Sequence, residues 1–83
     1  MAEAFRWYES QQPGLGGDFI LALDATFRLI QDNPELFPTI YKLNRRAFMR
    51  RFPFGIFYLV EQKRVVVLAV MHVRRDPGHW PGA

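Results

Sequence analysis

The pattern of apolar residues changes once along this chain, at Pro38, and that change restricts the folds that the chain can adopt. Before Pro38, apolar residues recur at the helical period and would line one face of a helix: Phe19, Leu23, Phe27 and Ile30. After it, residues 56–60 are apolar on both faces, and residues 65–73 are so until His72, as in strands that are covered on both sides. The sequence therefore predicts helices first and strands afterwards, which is the order of an α+β layer fold.

Two helices are predicted before the change. The first covers residues 1–12 and ends at a Pro-Gly pair, because proline clashes with helical carbonyls and glycine relaxes the backbone. The second has Asp24 and Arg28 spaced to form an i, i+4 ion pair, and it ends at the Asn-Pro pair of residues 33–34. Only residues 13–17 join the two helices, a length that predicts an antiparallel helical hairpin.

Three strands are predicted after the change. Residues 45–52 alternate imperfectly, with Ala47 and Met49 on one face and Phe48 and Arg50 on the other. The two apolar strands follow, each preceded by a turn segment. The predicted fold is α+β: a two-helix hairpin packed on a small antiparallel three-stranded sheet.

Length and composition predict one compact domain over residues 1–83. Hydrophobic residues make up 49% of the chain, and 8 Phe, 3 Tyr and 2 Trp are enough to form a core. Cysteine is absent, so the core holds without disulfides, as is usual inside cells. The longest apolar run, residues 65–71, is far shorter than the ~20 residues that span a bilayer, and the N-terminus does not resemble a signal peptide. We therefore expect a cytoplasmic protein that does not enter membranes.

Charge is distributed unevenly along the chain. Residues 1–41 hold two basic and six acidic side chains, a net of −4, whereas residues 42–83 hold nine and two, a net of +7. Five basic residues fall within ten positions: Lys42, Arg45, Arg46, Arg50 and Arg51. Most are arginines, which bind phosphate or carboxylate groups through two parallel hydrogen bonds. This pattern predicts a polyanion or an acidic protein segment as the partner.

The chain offers little for metal or nucleophilic chemistry. His72 and His79 are the only histidines, and among carboxylates only Asp76 lies at ligand spacing to them. Ser10 is the only serine and lacks the surroundings of a nucleophile elbow. We expect neither a metal nor a cofactor.

Two groups of residues each have two interpretations. The basic stretch of residues 45–51 is either a solvated strand face or a contact surface, since Phe48 and the following Phe52 lie beside the arginines. His72 and Arg74 share a strand face. Either the imidazole moves a proton near a phosphate while the arginine holds the charge, or the two residues form a polar strand end. Trp80 is expected to anchor the C-terminal tail on the core.

An ordered set of short motifs resembles the RelE/ParE superfamily of toxins, in its ParE-like or plasmid stabilisation branch. The resemblance runs from about residue 3 to residue 80. The motifs are Trp7-Tyr8-Glu9, Pro13-Gly14-Leu15-Gly16, Ile30 with Asn33-Pro34 and Phe37-Pro38, Arg45-Arg46, residues 51–58, and residues 72–77 with Trp80. The resemblance implies that this protein is the toxin of a type II toxin-antitoxin module and is bound by a cognate antitoxin. The implied antitoxin is acidic and of the ribbon-helix-helix type, and the implied target is either DNA gyrase or mRNA in the ribosome.

The resembling toxins usually have a strand before the first helix, and this sequence starts within that helix. A sheet without that strand leaves backbone N–H and C=O groups unpaired along a neighbouring strand. We therefore expect self-association, an exchanged strand or another partner at that edge, or else a true start upstream of Met1.

Two positions depart from the ribosome-dependent nucleases of the superfamily. Gly55 stands where an arginine is expected and Trp80 where a tyrosine is expected, so charge on a scissile phosphate loses a donor. This favours inhibition of gyrase by binding. The alternatives are a ribosome-dependent mRNA endonuclease acting through Arg74, His72 and Arg51, or an inactive relic that still binds antitoxin. The predicted contact residues are Arg45, Arg46, Arg50, Arg51, His72, Arg74, Arg75 and Trp80.

Overall fold

The structure is a computed structural model that describes residues 2–74. Within these residues, a pair of helices packs against one face of an antiparallel sheet. The elements in chain order are α1 (Ala2–Gln11), α2 (Leu15–Asp32), β1 (Thr39–Tyr41), β2 (Asn44–Phe48), β3 (Phe54–Glu61) and β4 (Arg64–His72). The α+β class predicted from the sequence is confirmed.

A carboxylate joins the two helices at their connection. The side chain of Glu9 accepts hydrogen bonds from the backbone N–H groups of Gly14 and Gly16, each at 3.0 Å. Gly14 has a φ of 90°, a left-handed conformation that glycine adopts without a steric penalty. Gly16 allows close packing, because an added Cβ would lie 2.8 Å from the Phe5 carbonyl oxygen. The predicted pair of Asp24 and Arg28 forms on the exposed side of α2 at 3.1 Å.

The sheet has four strands in the order β1-β2-β3-β4, so the prediction of three strands is wrong. The additional strand, β1, is only three residues long and cannot display an alternating pattern in the sequence. It pairs with β2 through Thr39 opposite Arg45, across a tight turn in which Lys42 has a φ of 50°.

The first predicted strand, residues 45–52, is also too long, because β2 ends at Phe48. The chain then bends, with the Met49 N–H donating to the Phe54 carbonyl at 2.9 Å and Arg51 at a φ of 73°. These values belong to a hairpin loop rather than to extended backbone. The predicted faces are nevertheless confirmed: Ala47 and Met49 are buried, while Phe48 is exposed.

The core lies between α2 and the sheet. Phe19, Leu23 and Ile30 of α2 pack against Ile56 and Tyr58 of β3 in one buried cluster. Because side chains alternate along a strand, Phe57, which lies between these two residues, faces away from the helices. We call the side that packs on the helices the inner face of the sheet, and the opposite side the outer face.

Candidate functional site

The loop after β2 and the end of β4 meet at one end of the sheet. The Val73 N–H donates to the Pro53 carbonyl at 2.9 Å, and Phe54 is paired with His72 across β3 and β4. This contact brings the loop that carries Arg50 and Arg51 to the end of β4, where His72 and Arg74 lie. We call this region the cationic end; its residues are Arg50, Arg51, His72 and Arg74.

Arg51 is held in place at the cationic end. Its guanidinium lies 3.2 Å from the carboxylate of Asp18, in the first turn of α2, and 5.4 Å from the centre of the Phe52 ring. Both charged side chains are largely exposed, so we expect this ion pair to stabilise the fold by less than about 1 kcal/mol. The pairing orients the Arg51 guanidinium toward α2, and its charge remains exposed to solvent.

His72 uses one ring nitrogen inside the protein. Its Nδ1 accepts a hydrogen bond from the Arg74 N–H at 3.0 Å, and its ring meets the Phe54 ring edge-on at 5.3 Å. Nδ1 therefore serves as an acceptor inside the protein, and Nε2 is the ring nitrogen outside this hydrogen bond.

Arg45 points to the inner side of the molecule. Its Nη1 donates to the carbonyl oxygens of Phe37 at 2.6 Å and Glu35 at 3.3 Å, which holds the segment that follows α2. The same region contains Tyr58, whose hydroxyl donates to the Pro34 carbonyl at 2.6 Å. Burial raises the pKa of Tyr58, and the nearby charge of Arg45 partly opposes that rise.

Arg46 lies on the outer face, on the opposite side of the sheet from Arg45. Its guanidinium carbon is 4.4 Å from the centre of the Phe48 ring, which is 53% exposed. The stem of Arg46 crosses Gly55: a Cβ added at Gly55 would lie 3.4 Å from Arg46 Cγ and 3.6 Å from Phe48 Cδ1. We call these three residues the Arg46–Phe48–Gly55 cluster. Sequence reasoning missed this cluster, because it depends on the pairing of Phe48 with Gly55 in adjacent strands.

A groove between α1 and the second half of β4 is another feature that sequence reasoning missed. Its volume is about 1200 Å³, and Glu3, Trp7 and Tyr8 line it from the helix side while residues 69–72 line it from the strand side. Trp7 is 59% exposed. The signals for this α1–β4 groove are a tryptophan on a helix that buries no residue fully and a strand that is apolar on both faces.

The predicted site residues are thus divided between several places. Arg45 and Arg46 occupy opposite faces of the sheet, Arg50 and Arg51 join His72 and Arg74 at the cationic end, and Arg75 and Trp80 lie outside the described residues. Within residues 2–74, no group of three histidine, aspartate or glutamate side chains is arranged to hold a metal ion. In the same part of the chain, no helix has the length and apolar character needed to cross a membrane.

Comparison with known proteins identifies the family. A family described as the ParE toxin of type II toxin-antitoxin systems, parDE, matches this sequence over residues 1–77. A comparison with curated proteins gives no match. The family match covers nearly the whole chain, and the helical hairpin on an antiparallel sheet agrees with the fold that the sequence motifs implied. The chain therefore belongs to the ParE toxin family, within the RelE/ParE superfamily, and is the toxin of a type II toxin-antitoxin system.

Proposed function

We propose that this toxin inhibits DNA gyrase by binding to it, without cleaving a substrate. The observation that supports a binding role most strongly is the Arg46–Phe48–Gly55 cluster. The related ribosome-dependent nucleases are expected to carry an arginine at the position of Gly55, and here the space beside that glycine holds the Arg46 stem and the Phe48 ring. The donor that would stabilise charge on a scissile phosphate is missing from β3, and one such donor is worth on the order of 10²-fold or more in rate.

The remaining groups of a nuclease mechanism have internal contacts. Arg51 pairs with Asp18, and His72 accepts a backbone hydrogen bond on Nδ1. These contacts suit a preorganised binding surface, because side chains that are already held lose less conformational entropy when a partner docks.

The cognate antitoxin is proposed to be acidic, of the ribbon-helix-helix type, and to contact the arginines of the sheet. Residues 42–83 carry a net charge of +7, and Arg50 and Arg51 are exposed beside the buried apolar residues of the loop. Arg46 offers a cation stacked on an exposed ring, a combination enriched in protein interfaces. Arg45 contributes less to the contact, because its guanidinium donates to carbonyl oxygens of its own chain.

Measurement of association rates tests this antitoxin surface. The variant Arg46→Glu/Arg50→Glu is expected to bind antitoxin about tenfold more slowly at low salt, with a flatter salt dependence, because steering by opposite charges accelerates encounter. Arg6→Glu/Arg28→Glu is the matched control, since it changes the net charge equally at exposed positions on the two helices. If association slows equally in both variants, only net charge matters, and the proposed antitoxin contact at Arg46 and Arg50 is refuted.

A ribosome-dependent mRNA endonuclease is the second candidate function. One observation favours it: Arg51, His72 and Arg74 lie at the same end of the sheet. This activity predicts cleavage of ribosome-bound mRNA that is lost in Arg74→Ala. Protein that binds antitoxin but affects neither gyrase nor mRNA would indicate an inactive relic.

A further inference from the structure

The two edges of the sheet are built differently. β1 is three residues long, pairs irregularly with β2, follows Pro38 and precedes Lys42, all of which discourage pairing with another chain. β4 is nine residues long and has neither a proline nor a charged residue between Arg64 and His72. Within the described residues, β4 is paired with β3 alone. Long apolar edges of this kind attract a further strand.

The surface along β4 is apolar as well as open. Val67 is 44% exposed and Leu68 is 41% exposed, and the α1–β4 groove runs beside the second half of the strand with Trp7 on its far side. A segment that fills this space has to be extended, so that its backbone can pair, and apolar on both faces.

We infer that the occupant is the β4 strand of a second copy of this chain, paired antiparallel across a two-fold axis near Leu68. β4 is itself extended, and its residues 65–71 are all apolar, so it has the backbone and the side chains that this edge requires. An acidic antitoxin segment fits less well here, because residues 65–71 offer no basic side chain to its carboxylates. The β4 edge proposed for dimer formation and the arginines proposed to contact the antitoxin are therefore at different places on the molecule.

Charge complementarity at the ends of the strand supports this arrangement. In an antiparallel pair, the start of one β4 lies beside the end of the other. Glu3 lines the α1–β4 groove together with His72, at the end of β4, while Arg64 is exposed at the start. The Arg64 of each copy is thus brought to the Glu3 of the other. A two-fold axis forms this contact twice.

An irregularity in β4 limits the expected affinity of the dimer. Leu68 is the extra residue of a β-bulge, because Ala69 pairs with Phe57 while Val67 pairs with Tyr58. The bulge bends the strand, so that the two copies pair along the two halves of β4 and not as one continuous ladder. Because the pairing is interrupted, we expect a weak dimer with a dissociation constant on the order of micromolar.

Sedimentation equilibrium from about 1 to 500 µM tests the dimer in the absence of antitoxin and gyrase. The protein is expected to change from monomer to dimer within this range. Leu68→Lys should weaken the dimer at least tenfold, because it places a charge at the axis, whereas Leu21→Lys should not change it. Leu21 is 70% exposed on α2, so the control makes the same substitution away from the edge. Circular dichroism confirms that both variants are folded.

A charge exchange tests the antiparallel arrangement independently. Glu3→Arg and Arg64→Glu should each weaken the dimer a few-fold, and the double variant should restore it. A wild-type protein that stays monomeric at the highest concentration would overturn the proposal, as would a Leu68→Lys dimer as stable as the wild type. Failure of the double variant to restore the dimer would refute the antiparallel arrangement. A monomer that loses antitoxin binding in Leu68→Lys would assign the edge to the antitoxin instead. None of these outcomes depends on gyrase.

Discussion

At the scale of single residues, Gly55 shows how one missing side chain determines the contacts of others. A methyl group at this position would lie 3.4 Å from Arg46 Cγ, which is ordinary contact, whereas a longer side chain would overlap the space of Arg46 and Phe48. The glycine on β3 thus leaves room for the Arg46 cation of β2 to lie 4.4 Å from the centre of the Phe48 ring on the same strand. We regard this as the local reason why the outer face offers the surface that we propose for partner binding.

This geometry predicts how substitutions at Gly55 affect stability. Gly55→Ala should change the free energy of unfolding by less than about 1 kcal/mol, because the contact and the removal of a flexible strand glycine act in opposite directions. Gly55→Leu should cost about 1–3 kcal/mol through displacement of its neighbours. Urea denaturation measures both. A Gly55→Leu variant as stable as Gly55→Ala would show that the cluster is not packed as described.

Tyr58 makes the free energy of unfolding depend on pH in the alkaline range. Its hydroxyl is fully buried and donates to the Pro34 carbonyl, and burial raises its pKa above 10.0, the ordinary value. Above that pH the unfolded chain releases the phenolic proton while the folded chain retains it, so the free energy of unfolding falls as pH rises. The stabilisation from the protonated Tyr58 hydroxyl is fully present below the pKa that this group has in the unfolded chain.

We expect denaturation midpoints between pH 9 and about 11.5 to fall more steeply for the wild type than for Tyr58→Phe, which has no group to ionise there. At neutral pH the variant should lose about 1–2 kcal/mol, since the Pro34 carbonyl loses its donor. Tyr41→Phe, at an exposed position, is the control. A Tyr58→Phe variant that retains the full alkaline slope would show that another group causes the loss of stability.

At the scale of elements, Glu9 holds the two helices together. Its two oxygens accept the N–H groups of Gly14 and Gly16, so one side chain satisfies two donors at the start of α2. α1 has no fully buried residue, and this contact therefore matters for its position.

Glu9→Ala should lower the free energy of unfolding by about 1–3 kcal/mol, because two donors lose a charged acceptor. Glu9→Gln should recover part of the loss, since its amide oxygen accepts one bond. Glu3→Ala at the exposed start of α1 should have little effect in dilute, monomeric protein. Thermal unfolding measures all three, and equal melting temperatures for Glu9→Ala and the wild type would refute the role of Glu9.

Sequence periodicity predicted the elements that are long enough to show it. α2 repeats its apolar face over 18 residues and could be identified with its i, i+4 ion pair. β1 has three residues and no period, and β2 was extended too far because the alternation continues past the point where Arg51 adopts a left-handed backbone. Short strands and loop conformations depend on pairing with distant residues, which a local pattern does not contain.

The candidate site was predictable in charge but not in geometry. The cluster of arginines is visible in the sequence, yet Arg45 and Arg46 are neighbours that point to opposite faces. Arg45 reaches carbonyl oxygens of the segment after α2, a contact that depends on how that segment folds back. The meeting of Pro53 and Val73 likewise joins positions far apart in the chain.

At the scale of the whole molecule, the charge division of the sequence becomes a division in space. The first half of the chain, with a net charge of −4, contains both helices, and the second half, with +7, contains β2, β3 and β4. An acidic partner is therefore directed to the sheet and its cationic end, away from the exposed side of the helices. The same sheet has a short β1 edge and an apolar β4 edge, so the two proposed contacts, with an acidic partner and with a second copy, use different parts of it.

Gyrase is the proposed target of this ParE-family toxin, and paired assays on one preparation distinguish binding of gyrase from cleavage of mRNA. DNA supercoiling by gyrase is measured alongside primer extension on mRNA bound to translating ribosomes. We expect supercoiling to be inhibited, with relief by the cognate antitoxin, and the mRNA to remain intact. Cleavage in the ribosomal A site that disappears in Arg74→Ala, with supercoiling unaffected, would contradict the binding mechanism and establish the nuclease.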